Sequence, residues 1–359
     1  MKNKKIRNIL VIIQRSNGDV FLSSPLVDAL YANYEQPFID LLVNEHTLAV
    51  AKTLKNIHRI YTFSKNRGRI AEALKTIQTI YKKYDLSISL TASDRSVIFA
   101  IISGKISIGA TEYSSQKSWW KKLFLNSSYY FDTSQHIVLN NTKSLELLGI
   151  FTGPVSVSPR RFPEKERSVM ARLKKLGIDQ FLIFHPSAQY NYKIYPRLQR
   201  NTVLSLLNTL DMPIVVTGGK SELDLKIKAE LPELENVHDF IGNTSLEELF
   251  ALSNLSRAYI GSDTLNMHIA AAQNKRIFAI FGPTILKSWS PWSNELQRSA
   301  IADMPVQTYG NVTIFQAAMP CVACGLAGCD DNHGPSKCLY NIDPSMIYTE
   351  VKQWLKTLQ

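Results

Sequence analysis

The chain lacks a long hydrophobic run: no apolar stretch in it approaches the roughly 18 residues that a membrane-spanning helix needs. Behind the basic N-terminus, the apolar stretch Ile9–Ile13 is also too short for the core of a signal peptide, and it predicts a buried strand. The sequence has no short-period repeat and no low-complexity tract. With 359 residues of globular composition, we expect a cytoplasmic protein of two domains.

Cysteine is scarce, and its few copies are clustered. All four cysteines lie between positions 321 and 338 with the spacing C-x2-C-x4-C-x8-C, and His333 lies among them. Because disulfides are rare in the cytosol, four clustered thiols predict a structural zinc ion. Reduced thiols and a redox-active disulfide are the alternatives. The predicted ligands are Cys321, Cys324, Cys329 and Cys338.

Acidic residues are scarce in the first part of the chain. Residues 1–160 contain 21 Lys and Arg against 11 Asp and Glu, a net charge of +10, whereas residues 161–359 contain 20 and 19, a net charge of +1. This asymmetry predicts an anionic partner such as nucleic acid, anionic lipid or a phosphorylated substrate, and a solvated basic surface is the alternative. No nucleic-acid recognition motif is present, which argues against nucleic acid. Residues 117–131 interleave Lys with aromatic residues, as in a membrane interface or in a loop packed on the core.

What the sequence does contain is an alternation of apolar strands and helices, which predicts parallel sheets covered on both faces. Residues 151–168 are rich in Pro and charge and predict a linker. The natural architecture is two doubly wound α/β domains with a cleft between them. The predicted strands are Ile9–Ile13, Ile39–Val43, Leu86–Leu90, Phe181–Phe184, Pro213–Thr217, Ala258–Ile260 and Ile277–Phe281. The predicted helices are Val20–Ala32, Ile70–Tyr81, Arg197–Leu210, Glu222–Glu230, Ser245–Leu252 and the Ala-rich segment after Thr264.

Small or polar residues follow three predicted strands of the second half, at 185–188, 217–219 and 261–264. Ligands of open α/β sheets bind at the carboxyl ends of strands. In the third turn, Asp263 and Thr264 are cap-type residues before a helix, and His268 lies one turn inside it. Such a helix terminus predicts a phosphate site, although His268 could equally be a packed helix residue.

Two charged residues are candidate catalytic residues. Lys193 follows the first of these turns, where it could neutralise a departing diphosphate or simply lie on the surface beside Pro196. Asp19 follows the first strand in Arg15-Ser-Asn-Gly-Asp19 and could be a general base or only a helix cap.

In their order along the chain, these motifs resemble glycosyltransferase family 9, the lipopolysaccharide heptosyltransferase family. The resemblance extends over nearly the whole chain. It rests on Ser16-Asn-Gly-Asp19-Val with Pro25-Leu26, His185-Pro-Ser, Lys193-Ile-Tyr-Pro196, Val215-Val-Thr-Gly-Gly219 before Glu222, Gly242-Asn-Thr-Ser-Leu246, Asp263–His268 with Ala270-Ala-Ala272, and Phe281-Gly-Pro-Thr284.

The resemblance implies a GT-B fold, in which two Rossmann-like doubly wound domains face each other across a cleft. Residues 1–160 would bind the acceptor, and residues 161–359 would bind a nucleotide-sugar and carry the Cys-rich segment 321–338 and a C-terminal helix. The implied reaction is inverting, metal-independent transfer of a heptose from ADP-heptose to the inner core of lipopolysaccharide or lipooligosaccharide. The acceptor would be a phosphorylated, lipid-anchored oligosaccharide at the inner face of the inner membrane. No cofactor would be needed for catalysis, and a zinc ion closed in by four thiolates would be structural.

The resemblance also implies roles for individual residues. Asp19 would be the base, and Lys193 would hold the diphosphate leaving group. Acceptor binding would fall to Arg15, Ser16 and Asn17. Donor binding would fall to Ser187, Ala188, Thr217, Gly218, Gly219, Glu222, Thr244, Asp263, Thr264, Leu265 and His268.

The sequence departs from the family pattern in ways that concern the donor. Leu265 stands where the family has a Gly, Tyr195 replaces a Trp, and the basic residue of the first loop is displaced to Arg15. A UDP-hexose donor is therefore an alternative, and so is a catalytically degenerate nucleotide-binding homologue. A sugar-nucleotide epimerase of the same fold is a further alternative, which would need acid and base residues facing the donor from both domains.

Overall fold

A computed structural model describes residues 6–64, 68–113, 115–150 and 153–358. The chain divides into two compact units, Met1–Arg160 and Arg161–Gln359. The strands are β1 (Asn8–Ile13), β2 (Phe38–Asn44), β3 (Arg59–Phe63), β4 (Tyr84–Ser89), β5 (Gly104–Thr111), β6 (Ser127–Tyr130), β7 (Leu182–His185), β8 (Ile214–Val216), β9 (Val237–Asp239), β10 (Ala258–Ser262), β11 (Arg276–Ile280), β12 (Val306–Tyr309) and β13 (Val312–Phe315).

Helices lie between most of these strands. They are α1 (Asn17–Phe21), α2 (Ser24–Asn33), α3 (Leu48–Ala51), α4 (Arg69–Ile80), α5 (Asp94–Ser103), α6 (Ser115–Phe124), α7 (Ile137–Leu147), α8 (Pro163–Lys175), α9 (Arg197–Leu207), α10 (Glu222–Ala229), α11 (Leu246–Leu255), α12 (Leu265–Ala272), α13 (Leu286–Trp289), α14 (Lys337–Tyr340) and α15 (Pro344–Lys356). Short 3₁₀ turns occur at Glu45–Thr47 and Asn191–Lys193. Within the described ranges, no helix combines the length and apolar character needed to cross a membrane.

The first unit contains a parallel sheet in the order β3-β2-β1-β4-β5-β6. This is the strand order of a doubly wound dinucleotide-binding fold. Central strand β1 is buried along Ile9–Ile13, as the continuous apolar run predicted. The order reverses beside β1, so the segment that follows this strand lies where ligands of such sheets bind.

The second unit repeats this arrangement. Its sheet has the order β9-β8-β7-β10-β11-β13-β12, and every pair in it is parallel except β13 with β12. Successive residues of one strand enter opposite cores: Ile183 packs in one cluster, whereas Leu182 and Phe184 pack in the other. Because side chains alternate along a strand, both faces of this sheet are covered. The predicted α/β class with two Rossmann-like sheets is confirmed.

Two sequence expectations were wrong in detail. The single helix predicted over Val20–Ala32 is two helices, α1 and α2, because the chain turns at Leu22-Ser23 and Pro25 lies in the first turn of the second helix. The predicted linker 151–168 is also too long: Pro163 starts the 13-residue helix α8, as proline readily does at a first helical position. Residues 151 and 152 lie outside the described residues.

Candidate functional site

Three neighbouring strands of the second unit, β10, β7 and β8, end at one edge of the sheet. Because they are parallel, the turns that follow them lie side by side. We call the polar residues there the strand-end cluster; its members are His185, Ser187, Lys193, Thr217, Asp224, Asp263, Asn266 and His268. Gly261 lets the strands approach closely, since a Cβ atom at this position would lie 2.4 Å from the His185 carbonyl oxygen.

Lys193 and Asp263 form the charged centre of this cluster. The Lys193 Nζ lies 2.7 Å from Asp263 Oδ2, and the Lys193 side chain keeps 23% of its surface exposed while that of Asp263 keeps 6%. Burial raises the pKa of Asp263, but the charges of Lys193 and His268 and the hydrogen bonds from Lys193 and Thr284 outweigh it, so the pKa lies below its usual value. The pair therefore holds a lysine at the sheet edge, partly open to solvent.

Helix α12 starts beside this ion pair. Thr264 is its N-cap residue, Leu265 is its first residue, and His268 is buried one turn inside, as the sequence predicted. The unpaired backbone N–H groups of such a terminus, together with the helix dipole, favour an anion. Leu265 is half-buried at the position where the resemblance expects a Gly.

His185 links two of the strand ends. Its Nδ1 lies 2.9 Å from Thr217 Oγ1, and its Nε2 lies 2.8 Å from the Asn266 amide nitrogen. Burial lowers the pKa of His185 to about 4, against opposing contributions from Asp224 and Thr217. The ring is therefore neutral at pH 7. Sequence reasoning gave no role to Asn266, although it lies within the Asp263–His268 motif.

Asp224 organises the second turn, and sequence reasoning missed it. The Ser187 hydroxyl donates to Asp224 Oδ1, and Ser221 donates its backbone N–H (2.9 Å) and hydroxyl (2.5 Å) to Oδ2. Burial by itself raises the pKa of Asp224. These hydrogen bonds and one from the Gly219 N–H outweigh burial, so the pKa lies below its usual value. A Cβ atom at Gly219 would lie 2.9 Å from Asp224 Oδ2, so any larger residue there would displace the Asp224 carboxylate. The signal was available, since Ser221 and Asp224 have the spacing of a capping box.

The remaining predicted donor residues differ in their exposure. Ala188 and Thr217 are buried, and Gly218 packs against Asp224 and Ile241. Thr244 is half-buried just before α11. Glu222 is exposed in the first turn of α10, and Asp224, two residues later, is the carboxylate that enters the cluster.

The first unit places Asp19 in a short helical cap after β1. Asp19 is the third residue of α1, and its Oδ2 accepts hydrogen bonds from the Ser16 N–H (3.1 Å) and the Ser16 hydroxyl. Arg15 Nε lies 2.7 Å from Asp19 Oδ1, and the Arg15 guanidinium lies over the Phe131 ring. Asn17 is the first residue of α1. The structure thus brings Arg15, Ser16 and Asp19 together at the strand edge where a Rossmann-like sheet binds its ligand.

The Cys-rich segment is folded onto the second unit. Cys338 is buried in α14, whereas Cys321, Cys324 and Cys329 are exposed, and all four are free thiols. Burial, followed by the nearby thiols, raises the pKa of Cys338 to about 11. In the part of the chain that the structure describes, no three His, Cys, Asp or Glu side chains come together closely enough to hold a metal. The four-thiolate zinc site stays a prediction, and one equivalent of zinc per chain after purification under reducing conditions would support it.

Comparison with known proteins identifies the family. The chain is 24% identical over 292 residues to lipopolysaccharide heptosyltransferase 3 of Escherichia coli, covering 79% of this chain and 85% of that protein. It is 21% identical over 300 residues to lipooligosaccharide heptosyltransferase 2 of Haemophilus influenzae, covering 80% and 87%.

Among solved structures, E. coli ADP-heptose lps heptosyltransferase II matches with a TM-score of 0.71 at 17% identity, covering 98% of this chain and 99% of that one. E. coli heptosyltransferase WaaC with ADP matches with a TM-score of 0.70 at 15% identity, covering 96% and 99%. These likenesses confirm the predicted GT-B fold. The family model for glycosyltransferase family 9 (heptosyltransferase) matches residues 73–312, which is more than half of the chain. The chain therefore belongs to glycosyltransferase family 9, the heptosyltransferase family, and is a glycosyltransferase.

Proposed function

We propose that this enzyme transfers a heptose from ADP-heptose to a sugar of the lipopolysaccharide inner core, with inversion at the anomeric carbon and without a metal. The names of its relatives support the sugar and the acceptor, and one solved neighbour is described with ADP. The observation that carries the proposal is the Lys193–Asp263 pair at the start of α12, a lysine held next to a helix N-terminus.

This pair suits a diphosphate. Lys193 and the backbone N–H groups of Thr264 and Leu265 at the start of α12 supply positive potential, and a departing ADP develops negative charge on its phosphate. Asp263 is itself an anion, so we assign it to holding Lys193 rather than to contacting phosphate. His268 supports the same site by compensating part of the Asp263 charge. Ser187, Thr217 and the Gly218-Gly219 turn, held by Asp224, would line the nucleotide.

In the proposed reaction, Asp19 removes the proton of the acceptor hydroxyl. The acceptor oxygen then forms a bond to the anomeric carbon, while the bond from that carbon to the phosphate oxygen breaks and its electron pair leaves with ADP. Because Ser16 already donates to Asp19 Oδ2, the acceptor hydroxyl would replace or share that hydrogen bond. Arg15, Ser16 and Asn17 would contact the acceptor. A phosphorylated acceptor also suits the excess of positive charge in residues 1–160.

Calorimetric titration of the purified protein with ADP, UDP and GDP tests the donor. Saturable binding of ADP alone is the expected result. Preferred binding of UDP would keep the transferase but replace the heptose donor by a UDP-hexose. Binding of none of the three would favour a degenerate homologue in which Leu265 blocks the phosphate site.

We propose also that helix α6 attaches the first unit to the cytoplasmic face of the inner membrane. On this helix Trp119, Leu123 and Phe124 each expose more than 60% of their surface, whereas Ser118 and Lys121 of the same helix are buried. Exposed apolar residues on a unit of net charge +10 suit an anionic lipid surface.

Co-sedimentation with vesicles tests this attachment. Binding to phosphatidylglycerol vesicles but not to phosphatidylcholine vesicles is expected, and a Trp119→Ala, Phe124→Ala double variant should lose it. Leu147→Ala, an exposed change on α7, is the matched control and should bind like the wild type. Equal binding of the double variant would remove α6 from the membrane contact.

A further inference from the structure

The Cys-rich segment contacts the loop that carries Lys193 through three aromatic rings. The rings of Tyr190 and Tyr192 stack with centroids 5.3 Å apart and planes 12° apart. His333, from the Cys-rich segment, lies 5.6 Å from the Tyr190 ring and 5.7 Å from the Tyr192 ring, at 19° and 31°. We call these residues the Tyr-His stack. It joins two segments about 140 positions apart in the sequence.

The segment holds His333 in an unfavourable backbone conformation. Its φ is +66°, in the left-handed region that non-glycine residues rarely occupy. The backbone around it is fixed, because the His333 N–H donates to the Ala327 carbonyl at 2.6 Å and Asp330 Oδ1 accepts from the N–H groups of Asn332 and Gly334 at 3.0 Å each. These hydrogen bonds therefore set where the segment places the His333 ring against Tyr190 and Tyr192.

The stack is connected directly to Lys193. The Lys193 backbone N–H donates to the Tyr190 carbonyl at 3.0 Å, and Tyr192 is the residue before Lys193. A second contact from the Cys-rich segment fixes the same turn, because the Ser336 hydroxyl donates to the Tyr192 carbonyl at 2.8 Å. On the far side of the lysine, the Tyr195 hydroxyl donates to the Ile342 carbonyl at 2.6 Å. The short turn Asn191–Lys193 is therefore held from both sides by residues that follow position 330.

We propose that His333 is a positioning residue for Lys193: by stacking on Tyr190 and Tyr192, it fixes the turn from which the lysine reaches the donor diphosphate. The proposal rests on the proposed function, because it needs Lys193 to act on the leaving group. Because a lysine side chain is long and flexible, fixing its backbone turn narrows the range of positions that Nζ can take and favours the one beside Asp263 and the start of α12. The Cys-rich segment thereby supports the donor site through contacts between rings and backbone.

Three variants of His333 separate the ring from the backbone. His333→Asn removes the aromatic ring but keeps a residue type that tolerates positive φ. His333→Phe keeps an aromatic ring. His333→Ala removes both the ring and the tolerance of positive φ. Leu326→Ala, an exposed change in the same segment, is the matched control. Each is compared by steady-state kinetics with varied donor and by thermal unfolding.

We expect His333→Asn and His333→Ala to raise the donor KM about five- to tenfold and lower kcat by a few-fold, in keeping with the size of one aromatic contact. His333→Phe should recover most of both parameters, the acceptor KM should stay unchanged, and Leu326→Ala should match the wild type. If His333→Asn keeps wild-type kinetics, or His333→Phe is as impaired as His333→Ala, the proposal is wrong.

A parallel measurement separates this proposal from the proposed function. If Lys193→Ala leaves donor KM and kcat unchanged, then Lys193 does not act on the leaving group, and the proposal that His333 positions it for that task is also wrong. If Lys193→Ala is impaired but His333→Asn is not, only the positioning role fails.

Discussion

The two units place their candidate residues at equivalent sheet edges but build them differently. In the first unit, Asp19 is held by Ser16 and Arg15, three and four positions away along the chain. In the second, Lys193 meets Asp263 across 70 positions, and Ser187 meets Asp224 across 37. The first site is a local helix cap, whereas the second exists only once the ends of three strands have been brought together. In the proposed mechanism, the base is thus set by a local motif, whereas the leaving group meets residues brought together from distant parts of the chain.

The largest effect is expected at the local site. Asp19→Asn keeps a side-chain acceptor at the cap but removes the proposed base, so turnover should fall about 100- to 10,000-fold while ADP binding stays unchanged. Initial rates and ADP calorimetry measure the two quantities. Asp28→Asn, which alters a half-buried carboxyl on α2, is the control. Full activity of Asp19→Asn would mean that Asp19 only caps α1 and has no catalytic role at the sheet edge of the first unit.

A smaller effect is expected at the assembled site. Lys193→Ala removes the proposed charge-assisted contact to the diphosphate, so ADP affinity and kcat should each fall about 10- to 100-fold. Titration calorimetry and donor-dependent kinetics measure this. Lys226→Ala, at an exposed lysine of α10, should leave both unchanged. If Lys193→Ala loses turnover but keeps ADP affinity, then the lysine acts only on the transition state.

The third prediction concerns the pH dependence of stability, and it leaves activity near neutral pH unchanged. The folded-state pKa of His185 lies below its unfolded value, so between about pH 6.5 and 4 the unfolded chain binds more protons there. The contribution of the neutral ring is complete above pH 6.5 and is lost as the pH falls towards 4, by about 3 kcal/mol in all.

Denaturant unfolding between pH 4.5 and 7.5 checks this, with His185→Asn as the comparison. The wild-type free energy of unfolding should fall more steeply with acid than that of the variant. Parallel slopes would mean that His185 is reached by solvent and that the strand-end cluster is more open than its buried ring indicates.

Much of the fold was predictable because its signals are local. The strands β1, β2, β4, β7, β8, β10 and β11 were predicted from apolar runs, since a strand buried on both faces needs no polar alternation. The strands β3, β5, β6, β9, β12 and β13 were not predicted. Four of these, β3, β6, β9 and β12, lie at the edges of their sheets, whereas β5 and β13 are interior strands. Edge strands bury less apolar surface, so their sequences carry a weaker signal.

The sequence by itself determined the α/β class, the capped start of α12 and the order of motifs along the chain. Only the tertiary structure decided that Asp224 rather than Glu222 enters the strand-end cluster, that Asp263 pairs with Lys193, and that His333 stacks on Tyr190. The physical reason is the distance along the chain over which each interaction acts. Propensity, periodicity and caps act over a few residues, whereas these pairings join residues far apart in the chain, and their positions are set by how parallel strands bring their ends to one edge.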